Sequence, residues 1–152
     1  MRGWIIAAVA AAVMATAGAA QAQVSAKVVS MLEQLAQETV RRETDRPAGE
    51  GHTYYQGEVG SLNDDEERVS PLIGDWQGTV TVSGFCDQNC TDLDLYVIDE
   101  DGNTVASDAS VDASPTVTFG ALEGRTYRLR AKMYTCAQNP CYYGVGAYYA
   151  VR

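Results

Sequence analysis

Cys86-Asp87-Gln88-Asn89-Cys90-Thr91-Asp92-Leu93-Asp94-Leu95-Tyr96-Val97 joins a short cysteine loop to an alternating segment. Successive side chains of an extended strand point to opposite faces, so Leu93, Leu95 and Val97 share one face and Asp92, Asp94 and Tyr96 the other. A strand of this kind buries its leucines and shows its aspartates. Asp101-Gly102 follows directly, and Gly accepts the positive φ that a tight hairpin turn needs, so Asp99 to Gly102 reads as a turn into a second strand from Asn103 to Ser107.

Working outward, similar short segments recur at Thr79 to Val82, Thr116 to Phe119, Thr126 to Met133 and Tyr142 to Val151. Six or so short strands separated by turn residues predict a β-sandwich over residues 58 to 152. Glu58 opens that region. The acidic run Asn63-Asp64-Asp65-Glu66-Glu67 reads as a solvated loop ahead of Val69, Pro71, Leu72, Ile73 and Trp76.

Toward the N-terminus, Arg2, the apolar run from Trp4 to Met14 and the small-x-small site Ala20-Gln21-Ala22 read as a secretory signal peptide over residues 1 to 22. The expected location is therefore periplasmic or secreted. No later segment approaches the length of a membrane span. In residues 23 to 46, Val24, Val28, Met31, Leu32, Leu35 and Ala36 recur at helical spacing, Ser25 can cap the start, and Glu38 can pair with Arg42. This predicts one amphipathic helix, which either packs on the β domain or self-associates through residues 24 to 45. Residues 47 to 57, rich in Pro and Gly, read as a linker that leaves the helix dispensable for folding. His52 lies there with no second ligand or nucleophile close in sequence.

Four cysteines in an exported chain favour two disulfides over a metal site. A ring closed by Cys86 and Cys90 removes only about 2 kcal/mol of unfolded-state freedom, against about 4 for a Cys86 to Cys136 link. Entropy favours the crossing pair, and proximity favours the local pairs Cys86 with Cys90 and Cys136 with Cys141. The local pairs are the expectation.

The 152-residue chain is acidic, with a formal charge of −9, which excludes the basic footprint that nucleic acid requires. No G-x-S-x-G, H-E-x-x-H or phosphate-cradling glycine loop is present, so no enzymatic activity is expected. Between Glu58 and Asp112 there are 14 acidic residues and one base, Arg68, whereas Arg125 to Lys132 carries four bases and no acid. If the two strands lie side by side, the basic row Arg128, Arg130 and Lys132 faces the aspartates as cross-strand pairs, with Arg128 and Arg130 as the expected partners of Asp92 and Asp94.

The order T-V-T-V-S-G, D-L-D-L-Y-V-I-D, D-G-N-T-V-A-S-D, P-T-V-T-F, G-R-T-Y-R-L-R-A and Y-Y-G-V-G-A-Y-Y resembles the bacterial pre-peptidase C-terminal (PPC) domain family, with Asp92, Asp94, Leu95, Tyr96, Gly124 and Tyr127 as its specific elements. The resemblance implies a small jelly-roll-like β-sandwich in a secreted bacterial protein, with a role in substrate binding. Related collagen-binding modules use calcium. Together with the clustering of hard oxygen ligands near turns, this makes Asp92, Asp94, Asp87, Asp108 and Asp112 candidate calcium ligands. Tyr142, Tyr143, Tyr148 and Tyr149 form a candidate aromatic surface for a polymer or protein, since alternation sends one of each adjacent pair outward. The functional expectation is an exported, non-catalytic binding or adhesion module of the cell envelope, its partner an extracytoplasmic protein or polysaccharide. The competing reading is an assembly protein that self-associates through its helix.

Overall fold

The computed structural model describes residue 23 and residues 26–42, 51–72, 74 and 77–151. Residues 1–22, read above as a signal peptide, lie outside the described residues with Val24, Ser25, residues 43–50, Ile73 and Trp76, as do the side chains of His52, Tyr54 and Tyr55.

Eight strands form the domain: β1 (Gly51–Leu62), β2 (Glu67–Leu72), β3 (Gly78–Cys86), β4 (Cys90–Asp99), β5 (Thr104–Asp108), β6 (Thr116–Ala121), β7 (Tyr127–Cys136) and β8 (Cys141–Val151). They make two four-stranded antiparallel sheets, ordered β1-β8-β3-β6 and β2-β7-β4-β5. β1 pairs with β8, β2 with β7, β3 with β6 and β4 with β5. The chain is thus one long hairpin, doubled over so that successive pairs fall alternately into the two sheets, which is the jelly-roll order.

The tip of that hairpin is the Asp99 to Gly102 turn. The Asp99 carboxylate accepts hydrogen bonds from the backbone N–H of Asp101 at 3.0 Å and of Asn103 at 2.8 Å, and Gly102 sits at φ 88°. The Asn103 and Asp101 amides hold the Asp99 carboxyl below the usual carboxylate range despite its burial. Leu93, Leu95 and Val97 are fully buried between the sheets with Val80, Val82, Met133 and Tyr143.

Residues 51 to 57 are not linker. They are the first half of β1, in ladder with β8 from Gly51 opposite Val151 to Leu62 opposite Cys141. Further along β1, Gly60 has a packing role, since an added Cβ there would lie 3.0 Å from the Tyr143 ring. β2 is the other strand the sequence pattern misses. It contains Pro71, which is tolerated because β2 is the edge of its sheet.

The helix, α1 (residues 26–42), lies on the outer face of the β1-β8-β3-β6 sheet. Core-facing Tyr143, Val145 and Ala147 leave Tyr142, Gly144, Gly146 and Tyr148 on the outer face of β8. Two tyrosines therefore bound a glycine trough. Met31 and Leu35 of α1 are buried, and an added Cβ on Gly146 would come within 2.9 Å of the Leu35 Cδ1. Lys27 lies 5.1 Å from the Tyr142 ring centroid and Arg42 lies 5.2 Å from that of Tyr148. Fifteen helical residues span about 22 Å, and six strand residues about 20 Å, so α1 fits the trough end to end. Arg42 also donates to the Ser83 hydroxyl and to Glu38, the latter at 2.6 Å. No described helix is long and apolar enough to cross a membrane.

Candidate functional site

The four tyrosines do not make an open aromatic surface. Tyr143 is fully buried between the sheets, and its hydroxyl donates to Glu58 at 2.7 Å. Burial and that bond push its pKa up. Tyr149 faces the same interior and donates to the Gln77 carbonyl. Tyr142 and Tyr148 do point outward, as alternation requires, but α1 covers both and leaves them 7% and 0% exposed. The expected binding surface is the docking face of the protein's own helix.

The acidic residues separate into several local roles. Asp87 accepts from Lys27 at 3.0 Å and from the Asn89 N–H at 3.1 Å. Asp108 accepts from the Thr116 and Ser110 N–H groups; burial raises its pKa, but these bonds outweigh that and leave it lowered. Asp112 accepts from the Ser114 N–H at 2.7 Å. Among the described residues no group of three or more His, Cys, Asp or Glu side chains could hold a metal ion.

Asp92 and Asp94 are on the outward face of β4, yet Asp94 is only 4% exposed. Alternation assigns a face and says nothing of what covers it. Tyr96, two residues on, folds back and donates its hydroxyl to Asp94 at 2.7 Å. β7 is the neighbour of β4, as the charge map implies, and Lys132 of the basic row falls opposite Asp94, but Arg128 and Arg130 are not the partners of the aspartates. A bulge around Asp92 sets Asp92 opposite Thr135 and Asp94 opposite Lys132, while Arg130 lies opposite Tyr96 and Arg128 opposite Ile98. Arg130 stacks on Tyr96 at 4.2 Å, and Lys132 pairs with Asp65 at 2.8 Å. Asp92 Oδ1 is shielded from solvent and has no hydrogen-bond partner among the described residues.

The most structured open feature is at the end of the sandwich where the cysteine loops meet α1. The disulfides are the local ones, Cys86 with Cys90 and Cys136 with Cys141. Cys90 and Cys136 are cross-strand partners, which sets the two loops side by side. Backbone bonds tie them further: Ala137 N–H to the Asn89 carbonyl at 2.8 Å, and Asp87 N–H to the Tyr142 carbonyl at 2.8 Å. Asn139 Oδ1 accepts from the Asp64 N–H at 2.7 Å, so the acidic turn joins the same frame. Over it lies the first half of α1. Between helix and loops are two cavities that share Lys27 as a wall. One, of about 410 Å³, includes Ser30, Met31, Gln34, Asp87 and Gln88 in its lining. The other, of about 230 Å³, is bounded by Gln23, Asn89, Gln138, Asn139, Pro140 and Tyr142. A gap between the sheets beside Gln56 and Pro71, about 10 Å³, is no more than water-sized.

No family model matches the chain, and no curated protein sequence matches it. Among solved structures it is similar to PliG of Aeromonas hydrophila, a periplasmic inhibitor of g-type lysozyme, with a TM-score of 0.44 and 9% identity over 71% of this chain and 93% of that one. The SPBc2 prophage-derived protein YomS gives a TM-score of 0.38 and 10% identity over 64% and 92%. A carbohydrate-binding module of the β-sandwich superfamily gives 0.36 and 12% over 72% and 60%. Likenesses of this size carry no functional argument. The cleft itself went unread in the sequence because its residues come from three separated segments. The one available signal was the run of amides in Gln88-Asn89 and Gln138-Asn139, each inside a cysteine loop.

Proposed function

We propose that the protein is a non-catalytic binding module that works outside the cytoplasm, with the cleft between α1 and the two disulfide loops as its binding face. The observation that carries this reading is the frame of the cleft. Two disulfides and a set of backbone bonds fix its floor before any ligand arrives, so little conformational entropy is lost on binding. Its larger cavity also falls in the range typical of ligand sites. The disulfides fit an oxidising compartment, in keeping with the signal peptide read at residues 1 to 22. The PPC-like strand order supports the same class of module.

The test is retention of isolated cell-envelope fractions by the immobilised protein and by Ser30→Trp, which places a bulky ring in the larger cavity from an exposed helix position. Wild type is expected to retain envelope material, and Ser30→Trp, at an unchanged melting temperature, to lose it. Equal retention by both, or none by either, contradicts the reading.

A second reading, self-association through α1, has one specific observation behind it. Val29, Leu32 and Val40, on the side of the helix away from the sheet, are 51%, 51% and 59% exposed. Sedimentation of wild type against Leu32→Glu separates the two readings: a dimer abolished by the substitution supports assembly, and a monomer in both removes it.

A further inference from the structure

The walls of the cleft are unusual for this chain. In a protein of formal charge −9, the only charged side chains among the described residues lining the two cavities are Lys27 and Asp87, and they neutralise each other in an ion pair at 3.0 Å. The remaining polar lining is dominated by amides. Gln34 and Gln88 in the larger cavity, and Gln138 in the smaller, make no side-chain hydrogen bond within the described residues. Asn139 has its carbonyl oxygen committed to Asp64, which fixes the side chain and leaves its NH₂ group as a donor.

A primary amide offers two donors on one side and a two-lone-pair acceptor on the other. Vicinal hydroxyls of a sugar ring present the complementary pair, a donor and an acceptor about one hydrogen-bond length apart. An anion or cation would gain nothing from a lining whose charges already cancel, since it would lose hydration without a counter-charge. An extended peptide would look for an unpaired strand edge and side-chain pockets. The strands that feed these loops, β3, β4, β7 and β8, are all interior to their sheets, and among the described residues the lining holds one large aliphatic side chain, Met31, which is itself buried.

We infer that the cleft formed by Gln34, Gln88, Gln138 and Asn139 around the Lys27–Asp87 pair is a binding site for a neutral oligosaccharide. The inference rests on the binding-module reading and specifies its ligand class. The two cavities on either side of Lys27 provide for more than one sugar ring.

The experiment is a titration followed by the ¹⁵N–¹H resonances of the side-chain amides, using cellotetraose, maltotetraose and triacetylchitotriose, with tetraalanine as the peptide control. The expected result is a saturable shift of the Gln34, Gln88 and Gln138 NH₂ signals with at least one sugar and none with tetraalanine. In Gln88→Ala the same sugar should bind about five- to tenfold more weakly, the effect of leaving a ligand hydroxyl unpaired. Because Gln88 is an exposed loop residue, the variant should fold as wild type does. Shifts with tetraalanine alone overturn the oligosaccharide assignment and leave the binding cleft standing. Sugar-induced shifts confined to residues outside the cleft overturn the site. No shift with any of the four probes, joined to no loss of envelope retention in Ser30→Trp, overturns both the ligand class and the binding-module reading.

Discussion

Asp92 is the residue whose environment opposes its charge most clearly. Burial, then Asp94, then Asp112 raise its pKa, and its shielded Oδ1 has no donor among the described residues to compensate. A carboxyl with a raised folded-state pKa binds a proton more readily folded than unfolded. Its contribution is therefore a destabilisation that is complete above the folded pKa and disappears as pH falls toward the unfolded value. Asp92→Asn is expected to raise the melting temperature at pH 7 in the presence of chelator, and the gain should vanish in melts below the unfolded carboxyl pKa. An unchanged or lower melting temperature at pH 7 contradicts this account. Parallel melts in millimolar calcium test the ligand role that the family resemblance implies, which predicts that Asp92→Asn loses a calcium-dependent gain seen in wild type. The outward direction of Asp92 and Asp94 was legible from the alternation in β4. The burial of Asp94 and the shielding of the Asp92 Oδ1 were not, because they depend on the Tyr96 hydroxyl returning to Asp94 and on the Asp112 loop, which sends its carbonyl to the Leu93 N–H at 2.9 Å.

At the scale of elements, α1 and β8 decide more than either shows alone. The apolar stripe of the helix and the tyrosine pairs of the strand were both legible, but periodicity says that a face is apolar and not what it meets. The missing link is Gly144-x-Gly146. On the outer face these glycines create the trough into which Leu35 fits, with Phe85 lying against Gly144. The Pro and Gly content of residues 47 to 57 suggests a helix that could be removed without cost, and the docked geometry argues the opposite. Burying Met31 and Leu35 contributes on the order of 3–6 kcal/mol as an upper figure, a large part of a typical domain's roughly 5–15 kcal/mol. A chain starting at residue 51 is expected to keep its strand signature, melt at a clearly lower temperature and bind an apolar dye through the uncovered Tyr142 and Tyr148. Melting indistinguishable from that of the full chain, without dye binding, would show the helix to be dispensable after all.

For the whole molecule, the jelly roll was legible from its tip outward. The Asp101-Gly102 turn is plain in the sequence, and β4, β6 and β7 alternate because each buries one face in a shared core. β1 and β2, the strands farthest from the tip, were not legible, since both are edge strands and carry the Gly and Pro that edges tolerate. The local disulfides follow from the same topology. Cys90 and Cys136 come together as cross-strand partners, yet Cys90 bonds to Cys86 at the end of the preceding strand and Cys136 to Cys141 at the start of the following one, each within its own loop. The cleft exists because this end of the sandwich, with its loops pinned, is roofed by a helix held at Tyr142 and at Tyr148. The docking of α1 is therefore the central claim, and nuclear Overhauser contacts in the chain from residue 23 onward test it most directly. The account predicts cross-peaks from the Leu35 δ1 methyl to the Gly146 α protons and from the Lys27 side chain to the Tyr142 ring. Absence of both sets, with Tyr142 and Tyr148 accessible to a soluble paramagnetic probe, would contradict it.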